Sequence, residues 1–298
     1  MRRIAILGAN GYIARNLIFV LKRDYYDFKL SLYGIEDTQV DGYVNYTKVD
    51  MTDKEEVKKI NFSSDIIFMF VGRTGSVNGF EQYDSFIDIN ERSLLNLLTE
   101  YRRTESNARI IFPSTRLVYK GKLSAQKESS EKEFKTIYAI NKYACEQYLE
   151  QFHRAYGIQY SIFRICIPYG TLIPQASSYG TAEFMLSKAT KGENITLYGD
   201  GSVRRTLTNI EDLCITLIEG ALSEQCANDV FNIGGEDYSL KEMAELIAQK
   251  YGVEVDYVHW PDIAMKIESG NTVFDSEKLD RIIGALTKSK FTDWLKRL

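Results

Sequence analysis

Apolar runs of strand length alternate with helically spaced apolar positions through the first half of the chain. The strands read over 3–7 and 65–71 are continuously apolar after their first residues, Arg3 and Asp65, the pattern of parallel strands buried on both faces. The segments 12–22, 82–101 and 136–155 instead read as helices; in 82–101, Phe86, Ile89, Leu94, Leu97 and Leu98 are spaced for a core or an interface. Further strands are predicted at 29–33, 43–49, 109–113 and 159–164, and Asp53 is placed to cap a helix over 54–59. Strand and helix therefore alternate from residue 3 to 164, which predicts an α/β fold with a doubly wound parallel sheet. The remainder is less regular: helix 181–191, strand 195–198, the turn Gly199-Asp200-Gly201-Ser202, helix 211–222, strand 229–233 and helix 239–251. It reads as a smaller C-terminal α/β lobe closing over the carboxyl end of the sheet. The polar stretch 120–135 reads as an exposed loop.

Composition narrows the class without naming the chemistry. The 298 residues are 44% hydrophobic and 26% charged, ordinary values for a soluble globular enzyme. A net charge of −4 gives no electrostatic case for nucleic acid. Cys145, Cys166, Cys214 and Cys226 are scattered, with no CxxC pair, which points to reduced thiols and a cytoplasmic setting. With only His153 and His259, and no Cys/His cluster, no metal site is expected. Gly8, Asn10 and Arg15 interrupt the N-terminal apolar run, so it is not read as a signal peptide, and the other apolar runs are too short to span a bilayer.

The chemistry sits in the turns. Between the first strand and the first helix lies Gly8-Ala9-Asn10-Gly11-Tyr12-Ile13-Ala14. Two glycines allow a tight turn pressed against a ligand, and Ala14 allows close helix packing. The helix start then offers free N–H groups to a phosphate, which predicts dinucleotide binding. After the second strand, Gly34 stands where an acid for an NAD ribose is expected, with Glu36 and Asp37 slightly late. That leaves room for a 2′-phosphate that Arg15 could approach, so NAD and NADP both stay open, with a lean to NADP. Asp50, at a strand end, can accept from an adenine amino group. The glycine-rich loop Gly72-Arg73-Thr74-Gly75-Ser76 and the hydroxyls of Ser114 and Thr115 follow strand ends, where ligands of such sheets bind. Tyr138 and Lys142 are four residues apart on one helix face. An ammonium near a phenol favours the phenolate and lowers its pKa from the usual ~10. Such a tyrosine can exchange a proton with an alcohol while hydride moves at the same carbon.

Together these positions resemble the extended short-chain dehydrogenase/reductase family of nucleotide-sugar epimerases, dehydratases and ketoreductases. The likeness runs in family order through Gly8/Gly11/Ala14, Asp50, Asn90, Ser114-Thr115 with Val118-Tyr119, Tyr138/Lys142, Arg164, Tyr169-Gly170, Gly199-Asp200-Gly201, Arg205, Asp212 and Asn232-Ile233-Gly234. Residues beyond about 240 match loosely. The resemblance implies a Rossmann domain over 1–165, rejoined over 206–229, and a substrate lobe mainly within 166–298. It implies Thr115, Tyr138 and Lys142 as catalytic residues, with Ser114 a possible substitute for Thr115 and Lys142 also binding the nicotinamide ribose. The cofactor contacts expected are Gly8, Asn10, Gly11, Tyr12, Ile13, Asp50, Met51, Val71, Gly72, Asn90, Ser114, Tyr138 and Lys142. Arg73, Thr74, Thr115, Arg116 and Arg205 are the expected substrate contacts, with Arg205 gripping a diphosphate.

Two departures shape the expected reaction. Dehydratases of the family carry an acid directly after the catalytic hydroxyl; here Arg116-Leu117 follows, which disfavours elimination of water. Ile167 replaces an asparagine that contacts substrate in many members, weakening a standard UDP-hexose epimerase. The expectation is hydride transfer at C4 of a nucleotide-diphospho-sugar, with a 4-ketoreductase preferred to a 4-epimerase. A non-catalytic dinucleotide sensor or scaffold is the rival from another class, and a serine hydrolase lacks its GxSxG elbow. Helices 82–101 and 136–155 suggest a homodimer through a four-helix interface.

Overall fold

The computed structural model describes residues 1–176, 178 and 180–298. Its strands, in chain order, are β1 (Arg2–Leu7), β2 (Phe28–Gly34), β3 (Tyr46–Lys48), β4 (Ile66–Met69), β5 (Arg109–Thr115) and β6 (Tyr160–Ile165). They continue with β7 (Ile167–Tyr169), β8 (Ile195–Tyr198), β9 (Arg204–Asn209), β10 (Val230–Asn232), β11 (Glu236–Ser239) and β12 (Val255–Val258). Seven of them form one sheet in the order β10-β6-β5-β4-β1-β2-β3, every neighbouring pair parallel. The chain winds outward from β1 through β2 to β3, then crosses to β4 on the other side of β1. The carboxyl ends of β1 and β4 therefore flank the crevice where the winding reverses, the usual ligand position in such sheets.

Burial explains why the apolar runs are continuous. Ile4 through Leu7 of β1 and all of β4 and β5 are buried, because helices cover both faces. On one face the helices Tyr12–Asp24 and Ile210–Leu222 pack Leu17, Ile18, Leu213 and Leu217 against Ile4, Ile6 and Phe231. On the other, the helices Ser93–Arg103 and Ile137–Tyr156 pack Leu97, Leu98, Cys145 and Leu149 against Ala5, Leu7 and Ile110. A third core holds the smaller lobe together through Met185, Leu197, Leu207, Ile247 and Phe291. That lobe contains the three-stranded sheet β11-β9-β7 and the parallel pair β12-β8. The chain rejoins the large sheet through the helix Ile210–Leu222 and β10.

Several expectations are corrected. The strand read over 43–49 shortens to β3, and the single helix over 82–101 is broken by a π-helical turn at Asp88–Arg92. The stretch 120–135 is not wholly exposed: Gln126 is buried, its N–H donating to Val273 O (2.7 Å) while its carbonyl accepts from Asp275 N (2.8 Å). Strands β7, β9, β11 and β12, and the helices Asp262–Ile267, Glu277–Ile283 and Phe291–Arg297, carry too few apolar positions to stand out alone. No helix is long and apolar enough to cross a membrane among the described residues, and no cluster of metal-binding side chains occurs there.

Candidate active site

The glycine turn is fixed by one carbonyl. Gly8 and Ala9 both donate backbone N–H groups to Tyr33 O, at 2.8 and 2.9 Å. Gly8 has φ +79°, and a Cβ there would meet Val71 N at 2.9 Å, so only glycine lets the turn lie against the end of β4. Gly11 is the N-cap of the helix Tyr12–Asp24, whose start has no side-chain cap and no acidic residue in its first turn. Its N–H groups remain for an anion. Tyr12 and Ile13 are half-buried, the Tyr12 hydroxyl donating to Gly170 O at 2.6 Å and so tying the turn to the smaller lobe.

The structure reverses the lean to a 2′-phosphate. Asn10 Nδ2 donates to Glu36 Oε2 at 3.1 Å and to Thr38 O at 3.0 Å. A Cβ on Gly34 would lie 3.1 Å from Glu36 Oε2. The Glu36 carboxylate thus swings back to the position that looked empty at Gly34. Arg15 is occupied: Nε and Nη2 donate to Asp41 at 2.9 and 2.6 Å, and Nη1 to Gln175 O at 2.9 Å. It is not a free cation for a phosphate.

The other cofactor candidates divide. Asp50 Oδ1 accepts from the N–H and hydroxyl of Thr52 at 2.9 and 2.8 Å, which orients the carboxylate at the strand end. The Met51 side chain belongs to the core, and its carbonyl accepts from Asn96 Nδ2 at 3.0 Å. Asn90 is buried in the π turn and clamps the loop after β4, accepting from Arg73 N (2.8 Å) and donating to Arg73 O (3.1 Å). A Cβ on Gly72 would lie 3.2 Å from Asn90 Oδ1 and 3.7 Å from Lys142 Nζ, so backbone, amide and ammonium converge beside Val71. Ser114 points the other way. Its hydroxyl donates to Glu146 Oε1 at 2.5 Å inside a buried network in which Glu146 pairs with Arg164 (2.5 Å) and Arg164 Nη1 donates to Tyr119 Oη (2.7 Å). Its side chain is thus committed to that network and turned away from the place expected of a substitute for Thr115.

Thr136 caps the helix Ile137–Tyr156, accepting from Ala139 N at 3.1 Å, and Gly157 ends it in the left-handed region. Tyr138 therefore stands in the first turn, where the helix's positive end favours a phenolate. Its hydroxyl lies within hydrogen-bonding reach of the Thr115 hydroxyl, which also accepts from Leu117 N at 3.3 Å. Burial raises Tyr138 to about 12, and the Thr115 hydroxyl pulls the other way. Lys142 is buried, donates to Pro113 O at 2.8 Å, and lies 4.4 Å from the centre of the Phe112 ring. Burial lowers it to about 8. The sequence expectation that Lys142 lowers the phenol is not met here, because the ammonium is turned to a carbonyl and desolvation governs both groups.

The substrate candidates divide as well. Arg73 turns to the helix Tyr83–Ile87, donating to Ser85 Oγ at 2.7 Å and to Gln82, and Thr74 is exposed. Arg116 is half-buried and donates to Ser269 Oγ (3.1 Å) and Thr272 Oγ1 (3.4 Å). Arg205, expected to hold a diphosphate, is 1% exposed, and its guanidinium is taken by Arg204 O, Gly270 O and Glu268 Oε1 at 2.9, 2.5 and 2.5 Å. A carboxylate of the chain itself stands where the substrate's anion was expected. Glu268 was missed, because it lies in a segment with no recognisable pattern; Glu36, read from the sequence as slightly late, needed only a turn to return to Gly34.

A parallel doubly wound sheet carries a glycine cradle for a dinucleotide, with a tyrosine, a threonine and a lysine gathered above it. That combination defines a Rossmann-type, dinucleotide-dependent enzyme. The family model for the NAD dependent epimerase/dehydratase family matches residues 4–234, and the chain belongs to that family. The chain is 25% identical over 336 residues to CDP-paratose 2-epimerase of Salmonella typhi, covering 99% of this chain and 98% of that one. Its fold is similar to dTDP-glucose 4,6-dehydratase from Streptomyces venezuelae solved with NAD, at TM-score 0.86 and 22% identity, covering 99% of this chain and 95% of that one. It is also similar to UDP-glucose 4-epimerase of Thermotoga maritima with UDP-glucose, at TM-score 0.84 and 21% identity, covering 99% and 96%. The protein is a member of an NAD-dependent nucleotide-sugar epimerase/dehydratase family.

Proposed function

We propose that the protein inverts C4 of a nucleotide-diphospho-sugar, using tightly held NAD. The observation that carries this is the pairing of the Tyr138 phenol with the Thr115 hydroxyl above a glycine turn whose ribose end presents Glu36 while Arg15 is bound to Asp41. Glu36 suits the two ribose hydroxyls of NAD and repels the 2′-phosphate of NADP, which removes the ground for preferring net reduction. The cradle fits the cofactor: side chains at Gly8 and Gly72 would fill the space between turn, Asn90 and Lys142.

NAD, when bound, would take the hydride from the sugar carbon and return it to the opposite face. Thr115 hydrogen-bonds the reacting oxygen, and Tyr138 accepts its proton and later returns it. Lys142 would hold the cofactor's ribose and offset charge on the phenolate. With Arg116 following Thr115, no acid stands ready to expel water, so dehydration is disfavoured. One observation favours the ketoreductase reading: burial keeps Tyr138 protonated, as a donor to a keto oxygen. Absorbance at 340 nm over a panel of sugar nucleotides and their 4-keto forms separates the two. Isomerised product with no net change in NADH is expected; stoichiometric NADH or NADPH oxidation by a keto sugar would replace epimerase by reductase.

Phe80, Tyr83, Ile87 and Ile140 leave a partly exposed apolar face on the helices flanking the site, which supports a homodimer. Ile87→Asp is expected to convert a dimer to a monomer by light scattering; a wild-type monomer would remove the proposal. Four unpaired thiols fit a reducing, cytoplasmic setting.

A further inference from the structure

Arg116 opens the turn that follows β5, so its side chain starts one residue beyond Thr115, over the carboxyl ends of β5 and β6. Two guanidinium groups meet a single strap of chain here. Arg205 takes Glu268 and the Gly270 carbonyl, and Arg116 reaches only the hydroxyls of Ser269 and Thr272. Among the described residues no carboxylate lies within ion-pairing distance of Arg116. Cys166 fills the space beside them, its thiol donating to Thr272 O at 3.4 Å. Burial, together with repulsion from Arg205, draws Arg116 down to about 10. Two arginines against one glutamate leave one uncompensated positive charge, on a residue adjacent in the chain to Thr115.

That charge is oriented but unmatched. A guanidinium carries five donors in a planar fork, and two long bonds to hydroxyls leave most of it unanswered. The partner that suits it best is a carboxylate, which accepts two parallel N–H groups and brings one negative charge. A diphosphate carries more charge than the cluster lacks and would face Glu268.

We propose that Arg116 holds a carboxylate borne by the sugar itself, so that the substrate is a nucleotide-linked uronic acid in preference to the neutral hexose. This rests on the reading above that a nucleotide sugar reacts against Thr115 and Tyr138.

The test measures kcat/KM and affinity on the full chain with NAD, using UDP-glucuronate, UDP-glucose, GDP-mannuronate, GDP-mannose and UDP alone. Wild type is expected to favour one acidic sugar over its neutral partner by about 100-fold, the range set by a charge-assisted hydrogen-bonded pair. Arg116→Gln is expected to erase that preference by weakening the acidic sugar alone, with UDP affinity unchanged. Arg116→Lys, which keeps the charge but not the fork, is expected to restore part of it. NAD affinity and melting temperature identify any variant that does not fold, and the wild-type preference then decides. Equal use of acidic and neutral sugars would overturn the proposal. So would loss of UDP affinity in Arg116→Gln, which would assign the arginine to the diphosphate. If NAD binds but no nucleotide sugar is bound or turned over, the parent reading fails, and this one with it.

Discussion

The two walls of the crevice are built by different means. On the cofactor side, Gly8, Gly11 and Gly72 bring backbone to the surface, and the side chains present, Asn10 and Asn90, are used to brace loops through Thr38, Val40 and Arg73. On the proposed substrate side charged side chains gather instead: the half-buried Arg116 and the buried Arg205 meet a strap of chain over residues 268–272 that brings Glu268. A wall of backbone recognises what every dinucleotide has in common, whereas a wall of side chains can change its charge by single substitutions. The first therefore suits a cofactor common to many enzymes, and the second is where the proposed carboxylate preference would be set.

Breaking the cofactor wall is expected to have the largest effect. Gly8→Val drives a branched side chain into Val71 N with φ at +79°, at a cost of about 1–3 kcal/mol for the strained backbone alone. Loss of NAD binding by isothermal calorimetry is the expected result, and wild-type affinity would deny the close approach its role. Tyr138→Phe leaves both walls standing and removes the proton carrier. Turnover is expected to fall about 10²–10⁴-fold with NAD affinity and melting temperature unchanged; wild-type turnover would take Tyr138 out of the mechanism.

Smaller effects sharpen the contrast. Lys142, drawn down to about 8 by burial, loses its ammonium as pH rises through that value. Turnover is expected to fall on the alkaline side with a midpoint near there, and Lys142→Met to lose that limb together with most of the activity. Stability has the opposite sign. Between about 8 and the usual ~10.4 of a free lysine, the unfolded chain binds the extra proton, so this group makes the fold more stable as pH rises through that window. A melting temperature that fell through that window in wild type but not in Lys142→Met would contradict the burial argument. Glu36→Ala is expected to narrow the preference for NAD over NADP about tenfold, the equivalent of one charge-assisted hydrogen bond, read as a ratio of dissociation constants. An unchanged ratio would return the choice of cofactor to another residue.

The sequence by itself determined the large sheet and most of the cofactor wall. A parallel sheet covered by helices on both faces needs continuous apolar runs, and the glycine turn joins the first strand to the first helix, so local pattern and position carried the information. The four-residue spacing likewise put Tyr138 and Lys142 on one helix face. What each group touches was decided by tertiary structure. Ser114 and Thr115 are neighbours in the chain, yet the strand's alternation sends one to Glu146 and the other to Tyr138. Glu36 returned to Gly34 because Asn10 holds it there, and Asp41 took Arg15. Arg205 lost its freedom to Glu268, 63 residues further along the chain. A charge acts through whatever lies within a few ångströms, and separation along the chain does not reveal that partner.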